Sequence, residues 1–390
     1  MMPVDPSFSR PAVPPPVLVP RAPRVDPYKA FCQELDAVKE RALSRMGAED
    51  ARYVTNLNRF SRAMEAVGRV LIHVSFEPIT FVLGIVALWV HKQLQATEIG
   101  HTALHGVYDK LPGAERFAAK KFHWDTPIDE ESWRHAHNVR HHGNTNVYGR
   151  DPDVHFGPVR LVENAPWTKQ NRWQLPFAVG VLFPLFGFVI NLHVTGLSDA
   201  MTGDGRSFGI LPDRSKESLR AAWKKALRKY APYYLYNFVL FPALAAVTGH
   251  AFWKVLAAGV VVEVMRDVYS AATIFCGHIG GDVDSYPEGT RAQGRGEWYA
   301  MQVRSTSNYE VSRPVSVLCG GLDRQIEHHL FPMLPPPRLR EVAPEVRAIC
   351  ERHGVPYKTD TWGATLRKAL VHIKDLAREG GVGAVVREMS

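Results

Sequence analysis

Seven of the 17 histidines fall into three tight groups. The first is Gly100-His101-Thr-Ala-Leu-His105-Gly106, an HxxxH pair. The second is His137-Asn-Val-Arg-His141-His142, an HxxxHH run. The third is Gln325-Ile-Glu-His328-His329, a QxxHH run ahead of Leu-Phe-Pro332. Imidazole binds transition metals in its neutral form, and two histidines four residues apart share one face of a helix. His101 with His105, and His137 with His141, are therefore each expected to reach one metal. Adjacent helical residues diverge by roughly 100°, so one member of each HH pair could face each of two metals.

The ligand count carries more weight than any single pair. A tetrahedral zinc takes four ligands and a catalytic zinc only three from protein, and seven clustered histidines exceed such a site. Imidazole suits iron, copper, zinc or nickel, so ligand type leaves the metal open. A carboxylate-bridged di-iron bundle needs two Glu-x-x-His motifs, and only Glu98-Ile-Gly-His101 has that spacing. His73, His91, His193, His250, His353 and His372 lack such company and read as structural or surface residues. His123, His135 and His155 lie near the second group, where surface placement is the simpler reading.

The 390 residues are 46% hydrophobic and 22% charged, with net charge +8, which excludes a disordered or fibrous chain. Four cysteines without CxxC spacing argue against a disulfide framework or a cysteine zinc module. No Walker A loop appears, and no GxGxxG follows a strand. Lys and Arg are spread out, densest over Arg214–Lys229, a basic amphipathic helix running into an apolar stretch. A cytoplasmic flank of a membrane span explains that run better than nucleic acid does. Residues 1–27 read as a disordered Pro-rich tail without a signal-peptide core, 28–66 as a cytosolic helical lead-in, 67–365 as the main domain and 366–390 as a helical tail.

Four apolar segments must carry the histidines: Val67 to about Gly100, Phe177–Leu192, Tyr233–Val247 and Phe252–Cys276. Mean hydropathy is only −0.16, because polar regions dilute them. Histidines sharing one site lie on one side of a bilayer, so an even number of spans separates them. Phe177–Leu192, with Pro184 inside and Asn191 and His193 at its end, is accordingly read as interfacial or re-entrant. The last two segments form a hairpin, and the first is a tight hairpin turning at Glu77-Pro78. The expectation is an all-α integral membrane protein with about four transmembrane helices and a cytosolic helical cap.

HxxxH, HxxxHH and Gln-Ile-Glu-His-His-Leu-Phe-Pro in this order resemble the membrane-bound fatty acid desaturase family over about residues 65–365. Gln325 stands where other branches have a histidine. The resemblance implies two irons held on the cytosolic side by His101, His105, His137, His141, His142, His328 and His329. It adds His278, in Cys-Gly-His278-Ile-Gly after the last span, as an eighth ligand, and Gln325 could ligate directly or through water. Asp109, Asp151, Asp153, Asp323 and Glu327 are candidate acceptors for imidazole N–H groups, with Asp151-Pro-Asp153 favoured by its likeness to the family.

Removing hydrogens from unactivated methylenes is beyond any side chain, so the protein's share is positioning and insulation. The resemblance implies that O2 and two external electrons remove two vicinal hydrogens from a long-chain fatty acyl group, linked to CoA, lipid or carrier protein. A cis double bond and water are left. The chain lacks a His-Pro-Gly-Gly haem segment, so a separate ferredoxin, rubredoxin or cytochrome b5 with its reductase is expected, with Lys224–Lys229 as one docking surface. Rivals are a lipid or alkane hydroxylase on the same iron scaffold, and a metal transporter. A transporter would place its histidines inside spans near the midplane, whereas these clusters fall outside the apolar runs.

Overall fold

The computed structural model describes residues 27–202, 210–247 and 252–380. The Pro-rich tail up to residue 26, His250 and the last ten residues lie outside these. Helix α1 (Lys29–Ser44) leads to α2 (Ala48–Val74) and α3 (Pro78–Leu94), which passes through a π-helical segment, Gln95–His101, into a final turn, Thr102–Leu104. A short helix, α4 (Glu130–Trp133), runs into a second π segment, Arg134–His141. Beyond it come α5 (Phe186–Val194), α6 (Lys216–Leu235) and α7 (Phe241–Val247). The series ends with α8 (Phe252–His278), α9 (Arg295–Arg304), α10 (Gln325–Leu330), α11 (Pro336–Arg352) and α12 (Trp362–Asp375). Among the described residues, strand structure is confined to two short pairings, His155–Phe156 with Val159–Arg160 and Asn308–Glu310 with Thr359–Thr361.

The first hairpin turns where Glu77-Pro78 predicts. Glu77 caps α3 by accepting from the Ile79 and Thr80 amides, each at 2.6 Å, and Pro78 occupies the first turn, where its missing N–H costs nothing. Gly68 and Gly84 let the two backbones touch: a Cβ at Gly68 would lie 2.6 Å from the Leu88 nitrogen, and one at Gly84 2.9 Å from that of Ile72. Such small-residue contacts are how helices pack closely in lipid. His73 ties α2 to α7 through the carbonyls of Arg69 and Phe241, at 2.8 and 3.1 Å.

Helix α2 runs unbroken through residue 66, and α12 through residue 365. The span count differs from the one expected. Among the described residues only Pro78–Leu104 is long and apolar enough to cross a membrane, or two stretches if Lys169–Leu182 and Phe186–Val194, bent by 113°, count as one. That bend lies where an interfacial or re-entrant element was expected.

For the helix Phe252–His278 the shortfall has a specific cause. Helix α8 carries Glu263, Arg266 and Asp267, all buried. Lys92 of α3 donates to Glu263 at 2.7 Å and to Tyr233 at 2.8 Å, while Arg266 meets Glu263 and, at 2.7 Å, Asp267. Charges turned inward lower the hydropathy of a helix without making its outer face polar. The outer faces are apolar: Val70, Val82, Leu83, Leu240, Leu244 and Val260 are exposed, and Phe76 and Val247 near the helix tips are 89% and 85% exposed. Monomeric soluble proteins rarely expose so wide an apolar surface.

Candidate metal centre

At the opposite end from those tips, the π segments deliver the first two histidine groups. A Cβ on Gly100 would lie 2.1 Å from Trp124 Nε1 and 2.3 Å from the Gln95 carbonyl, so only glycine fits there. Trp124 Nε1 donates to that carbonyl at 3.0 Å, pinning the segment just ahead of His101. In the second segment the His142 amide donates to the His137 carbonyl five residues back, at 3.0 Å. Single-turn π geometry often marks functional sites, and here it changes the pairing. His137 Nε2 lies 3.2 Å from His142 Nε2, while His141 turns towards His278 and His329. Ideal α spacing would instead pair His137 with His141.

All eight expected histidines converge. His101, His105, His137 and His328 bring their ring nitrogens within 4.8 Å of one another. So do His141, His278 and His329, and so do His142, His328 and His329. Nε2 pairs lie at 3.3 Å for His101–His105, 3.4 Å for His101–His137 and 3.2 Å for His278–His329. A neutral imidazole carries one proton, so a crowd of Nε2 atoms cannot satisfy itself by hydrogen bonding. His141 Nε2 and His328 Nε2 are buried with no partner. Converging, orphaned nitrogen lone pairs of this kind fit metal ions.

The far sides of the rings are held. Asp151 places both oxygens 3.0 Å from His141 Nδ1 and also accepts from the amides of Asn146 and Asp153, each at 2.8 Å. Asp153 lies 3.1 Å from His193 Nε2 and 3.7 Å from His137 Nδ1. His329 Nδ1 faces Gln302 Oε1 at 2.9 Å and Thr145 Oγ1 at 3.1 Å. Asn146 (φ 56°) donates its side-chain amide to the carbonyls of Asp284 and Ser305, at 3.1 and 3.2 Å, clamping the second group against the loop after His278. Burial, and next the neighbouring rings, push His105, His142, His278, His328 and His329 well below the ordinary imidazole range. Burial opposes protonation of His141 too, but the Asp151 and Asp153 carboxylates outweigh it and lift that ring to about 9.

Other sequence expectations fare differently. Gln325 packs its amide against His278 Nε2 at 2.5 Å, and its Oε1 is buried without a partner. Glu327 is buried but accepts from Asn308 and Tyr357, each at 2.8 Å, and not from an imidazole, because its carboxylate points to the side of α10 away from the ring cluster. Asp109 accepts from the Ala119 amide and Asp323 from Ser316, so neither serves a histidine. His193, read as structural or surface, is buried and joined to the site through Asp153. His193, Gln302 and Thr145 were missed as supports because a lone polar residue on an apolar or mixed helix carries no spacing signal. Glu98 pairs with Arg340 at 3.0 Å and with Tyr53, away from the rings. The Lys224–Lys229 run is partly spent within the fold: Lys225 meets Glu131 at 3.3 Å, Arg228 Asp129 at 2.7 Å and Lys229 Glu130 at 2.6 Å.

An apolar cavity adjoins the rings, enclosing about 1050 Å³ of atom-free space with its mouth included. Trp124, Ile128, Trp133, Phe186, Ile190 and Phe275 line it, with His101, His137, His141 and His278 in its wall. Along α8 the lining runs from His278 back to Arg266, about 18 Å at 1.5 Å per residue.

A helical protein with buried histidine clusters beside an apolar cavity is thereby defined. The fatty acid desaturase family profile matches residues 76–361. The chain is 32% identical over 337 residues to the NADPH-dependent stearoyl-CoA 9-desaturase of Mycobacterium tuberculosis, covering 84% of this chain and 75% of that one. It is 25% identical over 295 residues to the sn-1 linoleoyl-lipid 6-desaturase of Synechocystis, covering 73% and 78%. A third relative, Delta(5) fatty acid desaturase A of Dictyostelium discoideum, is 24% identical over 265 residues, covering 66% and 54%. The chain belongs to the fatty acid desaturase family. It is an O2-dependent oxidoreductase that desaturates fatty acids through its histidine boxes.

Proposed function

We propose that the eight histidines hold two iron ions in a membrane enzyme that inserts a cis double bond into a long-chain acyl group, with CoA as the preferred carrier. In this reading His101, His105, His137 and His328 surround one iron, and His141, His278 and His329 the other. His142 lies between the two groups, and Gln325 beside His278 completes the second site directly or through water. Bound iron supplies the O2 and redox chemistry. The chain's own residues do the rest: Asp151 and Gln302 fix ring orientation, the Trp124–Trp133–Phe186–Phe275 wall takes the acyl chain and excludes water, and burial keeps the rings other than His141 neutral. The convergence of eight imidazoles, four of them in the wall of an apolar cavity, is the observation that carries the assignment. The name of the mycobacterial relative supports acyl-CoA and an NADPH-fed electron supply.

The membrane placement follows from the apolar outer faces. The α2–α3 hairpin and the α6/α7–α8 hairpin supply four spans, their ionic network turned inward. The exposed tips lie at one surface and the histidines at the cytoplasmic one, where the basic start of α6 favours the inner leaflet. Expression in a host with simple fatty acids tests this. New double bonds located by gas chromatography, with products lighter by two hydrogens, are expected. Gain of one oxygen instead would identify a hydroxylase. His328→Ala should abolish product and lower bound iron while the protein stays in the membrane, and His73→Ala should remain active.

A further inference from the structure

The reaction removes two hydrogens from the acyl chain and reduces O2 to two waters, so two protons and two electrons must also arrive. The electrons come one at a time from a carrier that docks on the surface. Resting on the desaturase reading above, we propose that the loop from Gly106 to His123 is the docking surface for an acidic one-electron carrier protein, through Lys110, Arg116, Lys120 and Lys121.

These four side chains are exposed, and no carboxylate lies within ion-pair distance of any of them among the described residues. The two acidic groups of the loop are turned to its own backbone: Asp109 accepts from the Ala119 amide at 2.7 Å and Glu115 from that of Gly113 at 2.8 Å. Arg134 adds a fifth cation and joins the loop to the second histidine segment by donating to the Ala119 carbonyl at 2.7 Å. Elsewhere several arginines on this end of the molecule are spent in pairs, as with Arg41–Glu345, Arg338–Asp50, Arg340–Glu98 and Arg352–Glu34.

Position favours the same partner. The loop begins one residue after His105, at the end of a 27-residue helical stretch whose other end is the apolar tip, about 40 Å away by helical rise and so beyond a hydrocarbon layer of about 30 Å. Beneath the loop, Phe122 packs on the Trp124–Trp133 cluster, and Trp133 stacks on His137 with centroids 4.4 Å apart. A carrier seated here is separated from the rings by a thin packed layer. The cations of α6 differ, because that helix continues into an apolar segment, the arrangement suited to lipid headgroups.

The full chain in membranes would be assayed with NADPH, its reductase and either an acidic [2Fe–2S] ferredoxin or a soluble cytochrome b5 domain. A variant with Lys110, Arg116, Lys120 and Lys121 all changed to Gln should need roughly tenfold more carrier for half-maximal rate. Its kcat at saturation should stay within about twofold, and its rate should respond less to salt. Product from a single turnover of dithionite-reduced protein should be unchanged, and Arg220→Gln with Lys224→Gln should leave the carrier requirement alone. The inference is overturned if half-saturation does not move, or if neither carrier supports the unmodified chain while dithionite does. Release of the variant from the membrane would assign the loop to lipid instead. Absence of product with every reductant would sink the desaturase reading, and this inference with it.

Discussion

Asp151 takes a backbone N–H on each oxygen and presents both to His141, so no orientation of an amide can replace it without setting an NH2 against an N–H. Asp151→Asn should therefore weaken iron retention about 10–100-fold, the usual effect of losing a residue that orients a metal ligand. Iron per protein, measured under chelator competition, checks this, and undiminished iron would remove Asp151 from the site. The boxes were legible because three closely spaced histidine groups occur together in one chain, more than packing alone would gather. The division of His137, His141 and His142 between the clusters was not, because a π turn is a tertiary choice that ideal α spacing misses. Glu327 misled for a related reason. Its neighbours in sequence are the histidines of the third group, yet its partners, Asn308 and Tyr357, lie 19 and 30 residues away in sequence.

At the scale of elements, the segment ahead of His101 depends on the absence of a side chain at Gly100. Gly100→Ala should cost about 1–3 kcal/mol by overpacking against Trp124 and lower both bound iron and product. Gly363→Ala, where nothing lies within 4 Å, should be neutral or slightly stabilising. Thermal midpoints and iron content of the two variants make the comparison, and equal behaviour would mean that the π segment does not depend on that contact. The first hairpin was legible because its turn is written locally, as an acidic cap followed by proline. The other candidate spans were only partly legible. Glu263, Arg266 and Asp267 lower the apparent hydropathy of α8, and the Lys92 that accompanies them sits 171 residues from Glu263 in sequence.

For the whole molecule, the buried rings make stability a function of pH. His105, His142, His328 and His329 are held well below the ordinary imidazole value and His137 at about 4. In the unfolded chain each would take up a proton near pH 6.5. The unfolded state thus binds more protons below that pH, so stability is full above it and lost as pH falls. Each ring kept neutral down to pH 5 costs roughly 2 kcal/mol. His141 has the opposite sign, contributing below pH 6.5 and fading as pH rises through about 9. Iron-depleted protein in detergent should therefore lose on the order of 10 °C in thermal midpoint between pH 7 and 5, while a flat profile would contradict the neutral-ring picture. The inward charges have a consequence for biogenesis. In the proposed bilayer placement, Lys92 enters with the early hairpin and Glu263 with the late one, so a nascent chain holds an uncompensated cation in lipid until its counter-ion is synthesised. Membrane integration then becomes conditional on completing the chain, and a product terminated ahead of α8 would be marked for removal by its own stranded lysine.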